Sequence, residues 1–133
     1  MPKRLELRIT VVGQRVFAAE IHSQQSNHTR YDYRHYDDNS TRYQPHTLPA
    51  EVAQRCLHLV ARLGLYYGAI DMILTPDGRY VFLEINPNGQ YLWIEQATRL
   101  PISDAICDLL LSGKSTSSHQ RPCMTAIPEV CYV

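Results

Sequence analysis

Two short apolar runs, Ala69 to Thr75 and Arg79 to Ile85, are joined through Pro76-Asp77-Gly78, and no other feature constrains the fold as tightly. Runs of this length separated by turn formers spell an antiparallel hairpin. Pairing Asp71 with Glu84 puts Ile70, Met72 and Leu74 on one face together with Val81, Leu83 and Ile85. All six are apolar. A slip of one residue moves Glu84 and Tyr80 onto that face, so burial selects the first register. Side chains alternate along a strand, and the same register therefore gathers Asp71, Glu84 and Asn86 on the opposite face. Two carboxylates facing each other across a strand pair repel. A bound cation removes that penalty, and hard oxygen donors with room for phosphate oxygens suit Mg²⁺ on a nucleotide. The same residues equally fit a hairpin with two solvated acids and an Asn-Pro turn.

A second hairpin precedes the first. Leu5 to Val12 alternates apolar and polar residues, Gly13-Gln14 makes a turn, and Arg15 to His22 continues extended. Glycine at the first turn position suits a type II′ turn. Residues 23 to 47 are polar and tyrosine-rich without a sustained period. A loop longer than about 15 residues in a compact domain is functional or mobile. Pro49 to Leu63 spells a helix: proline suits its first turn, Val52, Cys56, Leu59, Val60 and Leu63 form one stripe, and Gly64 stops it. A short helical segment follows Asn86-Pro87-Asn88-Gly89. A further helix runs from about Ile102 to Leu111, with Ile102, Ala105, Ile106, Leu109 and Leu110 inward and Gly113 at its end. After Lys114 the composition turns to Ser, Thr, Pro and Gln, the make-up of a poorly ordered tail over residues 114 to 133. Residues 1 to 113 then form one α+β domain, an antiparallel sheet with helices packed on one face.

Charge narrows the function classes. Thirteen basic residues balance thirteen acidic ones, so no net field favours nucleic acid or an anionic membrane. Arg30, Arg34 and Arg42 interleave with Tyr31, Tyr33, Tyr36 and Tyr43, a mixture that suits a recognition surface or single-stranded nucleic acid. Asp32, Asp37 and Asp38 cancel that positive charge and argue against the nucleic acid. No apolar run approaches the roughly 20 residues of a membrane span, and the first residues carry no signal-type stretch, which makes the cytoplasm the default. Cys56, Cys107, Cys123 and Cys131 follow no zinc or redox spacing. Cys56 and Cys107 fall on apolar helix faces, where a thiol acts as a small hydrophobe. The six histidines form no i, i+4 metal pair.

Asp71 followed by Leu83-Glu84-Ile85-Asn86-Pro87-Asn88-Gly89-Gln90 resembles the closing motif of ATP-grasp enzymes. It is most similar to the graspetide ligases, the microviridin-type maturases of ribosomal peptides. In that family a similar segment runs on through Trp and Ile-Glu, as Trp93, Ile94 and Glu95 do here. Leu5 to Gly13 and Val16 to Ile21 look like the same family, and the likeness covers roughly residues 3 to 112. It implies the C-terminal subdomain of an ATP-grasp fold, with ATP and Mg²⁺ as cofactors. Asp71, Glu84 and Asn86 would hold the metal ions that bridge the ATP phosphates. Arg8 and Asn86 would lie at the nucleotide. Arg8 and Arg34 would steady phosphate or acyl-phosphate oxygens in catalysis, since a guanidinium fork matches such oxygens bidentately. Without the resemblance, Arg8 fits a surface ion pair with Glu6 or Glu20, and Arg34 a solvated loop.

The resemblance further implies a ligase that phosphorylates a side-chain carboxylate of a precursor peptide and lets a hydroxyl or amine displace the phosphate. A smaller-substrate ligase resembling glutathione synthetase shares the metal motif. The family's first subdomain brings phosphate-contacting lysines, a Gly-rich loop and an adenine-reading strand, whereas Lys3 and Lys114 are the only lysines here. Pro2-Lys3 resembles the junction just after that strand, so the expectation is a chain that starts in mid-fold. A complementing N-terminal half or a homodimer would then be its partner beside the precursor peptide. The alternative expectation is a truncated, non-catalytic binding domain, inactive alone.

Overall fold

The computed structural model describes residues 4–22 and 42–112. Strands β1 (Leu5–Val12) and β2 (Arg15–His22) form the first hairpin, and β3 is Arg42–Pro45. Helix α1 (Ala50–Arg62) leads into β4 (Tyr67–Leu74) and β5 (Tyr80–Asn86), then α2 (Leu92–Thr98) and α3 (Ile102–Ser112). The sheet order is β3-β2-β1-β4-β5, and every neighbouring pair is antiparallel. The tail from 114 lies outside the described residues, as does Arg34.

Central strand β1 is buried on both sides. Leu5, Leu7, Ile9 and Val11 face one core, while Thr10 and Val12 are buried on the other side. Because both faces of the sheet carry apolar side chains, its helices are shared between them rather than gathered on one. Helix α1 sends Cys56 and Val60 into the cluster of Leu7, Ile9, Val11, Ile70, Met72 and Leu74. Helices α2 and α3 send Ile94, Ile102 and Ala105 against Val12, Phe17 and Ala19. The α+β class and the antiparallel sheet are as expected.

Local chemistry explains the element ends. Gly13 has φ 59° while Gln14 keeps an ordinary negative φ, the pattern of the expected type II′ turn. Helix α1 ends with Gly64 at φ 70°, its N–H donating to the Ala61 carbonyl while the Leu65 N–H reaches Val60. That pair of bonds satisfies carbonyls the last helical turn leaves open.

Several sequence expectations fail for nonlocal reasons. Residues 42–45, expected within a long loop, form edge strand β3, with Tyr43 opposite Ile21 and Pro45 opposite Ala19. A four-residue strand ending in proline carries no periodicity to detect, and proline is tolerated there because the edge needs no further donor. Leu63 and Leu110 are 52% and 75% exposed rather than inward. Cys107 is exposed, whereas Cys56 is buried as expected. The stripe of α3 that meets β1 ends at Leu109, and Leu110 falls further round the helix.

The second hairpin carries a bulge. Ala69, Ile70 and Asp71 pair with Asn86, Ile85 and Glu84, but Met72, Ile73 and Leu74 pair with Phe82, Val81 and Tyr80. Leu83 is therefore an extra residue on β5. The loop 75–79 sets the pairing at Leu74 and Tyr80, one residue out of phase with Asp71 opposite Glu84, and the bulge restores that phase. In consequence Tyr80 and Phe82 join Ile85 on the core face, where the sequence predicts Val81 and Leu83, and Leu83 is 52% exposed.

Candidate functional site

Beyond the bulge the register is the expected one, and it sets Asp71 between Arg8 on β1 and Glu84 on β5. Asn86, opposite Ala69, lies two residues from Glu84 and shares its face. The four residues thus come together on the side of the sheet that α2 and α3 cover in part. Glu84 and Asn86 are exposed, while the Arg8 and Asp71 side chains are only 11% and 14% exposed.

Arg8 is committed to Asp71. Its Nε donates to Oδ1 at 2.6 Å and its Nη2 to Oδ2 at 3.3 Å, a fork-to-carboxylate pairing. The guanidinium also lies 5.6 Å from the centre of the Trp93 ring, within cation–π range. Trp93 is backed by Tyr43, whose ring meets it edge-on at 5.2 Å. The Arg8 ion pair is made with Asp71, and Glu20, paired with Leu7, is on the other face of the sheet. Glu20 lies across the sheet, bonded to His46 at 2.6 Å and His22 at 2.8 Å.

Burial pushes the Asp71 carboxyl above its usual range; the Arg8 charge and hydrogen bonds offset this only in part, and Glu84 and Glu6 add to the rise. Glu6 shares the face of Arg8, two residues earlier on β1, with one carboxylate oxygen buried. Sequence reasoning saw it only as an ion-pair partner for Arg8. The strict alternation Glu6, Arg8, Thr10 is the signal that places it at the site.

The segment after β5 is held closely against β4. The Asn86 Oδ1 accepts the Asn88 N–H at 2.9 Å, and the Gly89 N–H reaches the Asn86 carbonyl at 3.3 Å. The Tyr67 hydroxyl donates to the Gly89 carbonyl. A Cβ at Gly89 would stand 2.3 Å from the Ala69 Cβ and 3.6 Å from Arg8 Nη1, so glycine is needed for this approach. Neither Tyr67 nor Ala69 stands out in the sequence as part of the site.

The donor types suit a hard divalent cation: two carboxylates and an amide oxygen on adjoining strands. Among the described residues no three His, Cys, Asp or Glu side chains converge as a metal cluster, so an ion here would rely on Asn86 and on ligand oxygens.

No protein-family model and no curated protein matches the chain. Solved structures do. The macrocyclase MdnC from Microcystis aeruginosa, bound with precursor peptide MdnA, is 49% identical over 84% of this chain and 34% of its own, with a TM-score of 0.70. The macrocyclase MdnB from the same organism is 41% identical over 85% of this chain and 39% of its own, with a TM-score of 0.69. A Chryseobacterium gregarium ATP-grasp ligase, in complex with ADP and a leader and core peptide, is 40% identical over 84% of this chain and 34% of its own, at TM-score 0.75. The chain spans little more than a third of the length of these ligases. It thus carries the fold and much of the sequence of one part of a graspetide-type ATP-grasp ligase.

Proposed function

We propose that this chain supplies the metal- and phosphate-binding face of an ATP- and Mg²⁺-dependent ligase that crosslinks a ribosomal precursor peptide. The observation that carries the reading is the convergence of Arg8, Asp71, Glu84 and Asn86 on one sheet face. Its likeness to ligases solved with precursor peptides and with ADP supports the substrate class. In the reaction, the γ-phosphoryl group of ATP passes to a peptide side-chain carboxylate, leaving ADP. A hydroxyl or amine of the same peptide then attacks the acyl carbon and expels inorganic phosphate and a proton, giving an ester or amide. Magnesium, when bound, supplies charge neutralisation at the phosphates.

The chain's own residues position and neutralise rather than form covalent bonds. Asp71, Glu84 and Asn86 would hold the cation, and Arg8 would meet phosphate oxygens bidentately. Arg34, outside the described residues, is assigned the same task on resemblance alone. Trp93 and the close turn at Gly89 exclude water from one side of the guanidinium. The precursor peptide is the proposed substrate partner, with a complementing chain or a second copy as the companion for turnover.

Calorimetric titration of Mg-ATP into wild type and Glu84→Gln tests the reading. The variant is expected to bind at least about tenfold more weakly, the scale of loss that ligand-sphere changes bring. Equal binding by the two proteins removes Glu84 from the metal set and the proposal with it. ADP formation measured with and without a precursor peptide then separates a ligase from a domain that only binds.

A further inference from the structure

Arg8 already stands where a cation would draw on Asp71. Both oxygens of that carboxylate face the guanidinium, at 2.6 and 3.3 Å. A divalent ion on Asp71 would sit within a few ångströms of the Arg8 charge, in surroundings where both side chains are nearly covered. Like charges that close repel strongly when water screens them poorly. Cation and guanidinium therefore compete for one carboxylate. Arg8 would not be cast into solvent on losing it, because its guanidinium lies over the Trp93 ring and beside the Gly89 turn.

We propose that Arg8 is the resident counter-cation of Asp71, exchanged for a divalent cation on binding, and that Trp93 is the positioning residue that keeps the released guanidinium at the site for a phosphate anion. This rests on the metal set named above and adds its regulation. The Asp71 carboxylate is thus neutralised before the cation arrives. The guanidinium becomes available to phosphate oxygens only once the cation has taken Asp71. Cation and phosphate binding are then coupled: each favours the same rearranged state, and each strengthens the other.

The coupling has an unusual sign that separates it from a merely structural ion pair. Removing Arg8 should strengthen binding of the cation alone, by about fivefold or more, the lower end of ordinary site-to-site couplings. It should weaken binding of pyrophosphate in saturating Mg²⁺. The experiment titrates Mg²⁺ alone, then pyrophosphate with Mg²⁺, into wild type, Arg8→Met and Arg8→Lys by calorimetry. Trp93, the chain's one tryptophan, gives a second readout. Its emission should change saturably with Mg²⁺ in wild type and stay constant in Asp71→Asn. Unchanged or weaker Mg²⁺ binding by Arg8→Met overturns the exchange, while weaker Mg-ATP binding by Glu84→Gln than by wild type would leave the metal assignment standing. If Arg8→Met does not fold, wild-type emission decides: a flat Trp93 signal at saturating Mg²⁺ overturns the exchange. Absence of Mg²⁺ binding in every protein overturns both proposals.

Discussion

Gly89→Ala offers a sharp test of how the site is built. The added Cβ would stand 2.3 Å from the Ala69 Cβ, more than an ångström inside the ~3.5–4.0 Å at which carbon atoms normally meet. Neither atom can swing away. Ala69 is pinned by pairing with Thr10 on β1 and Asn86 on β5. Gly89 has no left-handed φ, so the expected loss comes from contact and not from backbone strain. Overpacking of this kind costs about 1–3 kcal/mol. With a urea slope of about 2 kcal/mol/M, that moves the unfolding midpoint by about 0.5–1.5 M. Ala69→Gly alone should cost about 0.5–1 kcal/mol, from strand glycine. Together the two changes should be less harmful than their sum, because the double variant removes the collision. Urea unfolding followed by circular dichroism on all four proteins completes the cycle. A neutral Gly89→Ala, or strictly additive single effects, would refute the close approach.

Two further expectations follow from the rest of the sheet. The bulge predicts that Phe82→Ala destabilises by about 2 kcal/mol or more, whereas Leu83→Ala stays within about 0.5 kcal/mol; the reverse order in thermal melts would restore the unbulged register. Burial raises the Glu20 carboxyl, but hydrogen bonds and charge from His46 and His22 outweigh it and leave the group below its ordinary value. A lowered carboxyl contributes stability that is present above the ordinary carboxylate range and lost as pH falls through the folded-state value. Glu20→Gln should therefore be less stable at neutral pH and lose less on acidification. Urea midpoints measured from pH 7 to pH 3 check this, and parallel acid limbs would count against the network.

Legibility followed the range of the interactions. Period-two alternation marks β1, extended or apolar runs joined by turn formers mark β2, β4 and β5, and apolar spacing marks α1 and α3, because each of these signals is written into consecutive residues. The pairing of Asp71 with Glu84 was legible as well, since only that phase keeps Glu84 off the core face. The loop 75–79 alone would have set another phase. A bulge at Leu83 reconciles the two, and a bulge leaves no trace in composition. Edge strand β3 was likewise hidden, its four residues having a partner only in β2.

The chain's own order of residues determined the two hairpins, the flanking helices and the set of oxygen donors on one strand pair. It did so because alternation and turn chemistry act between near neighbours. Tertiary structure alone decided that Arg8, 63 positions from Asp71, meets it fork to carboxylate. The same holds for the Trp93 ring over that guanidinium and for the single side-chain atom of Ala69 that leaves no room at Gly89. Those contacts depend on how β1, β4 and α2 lie against one another in space, and no local rule encodes a distance between segments so far apart in the chain.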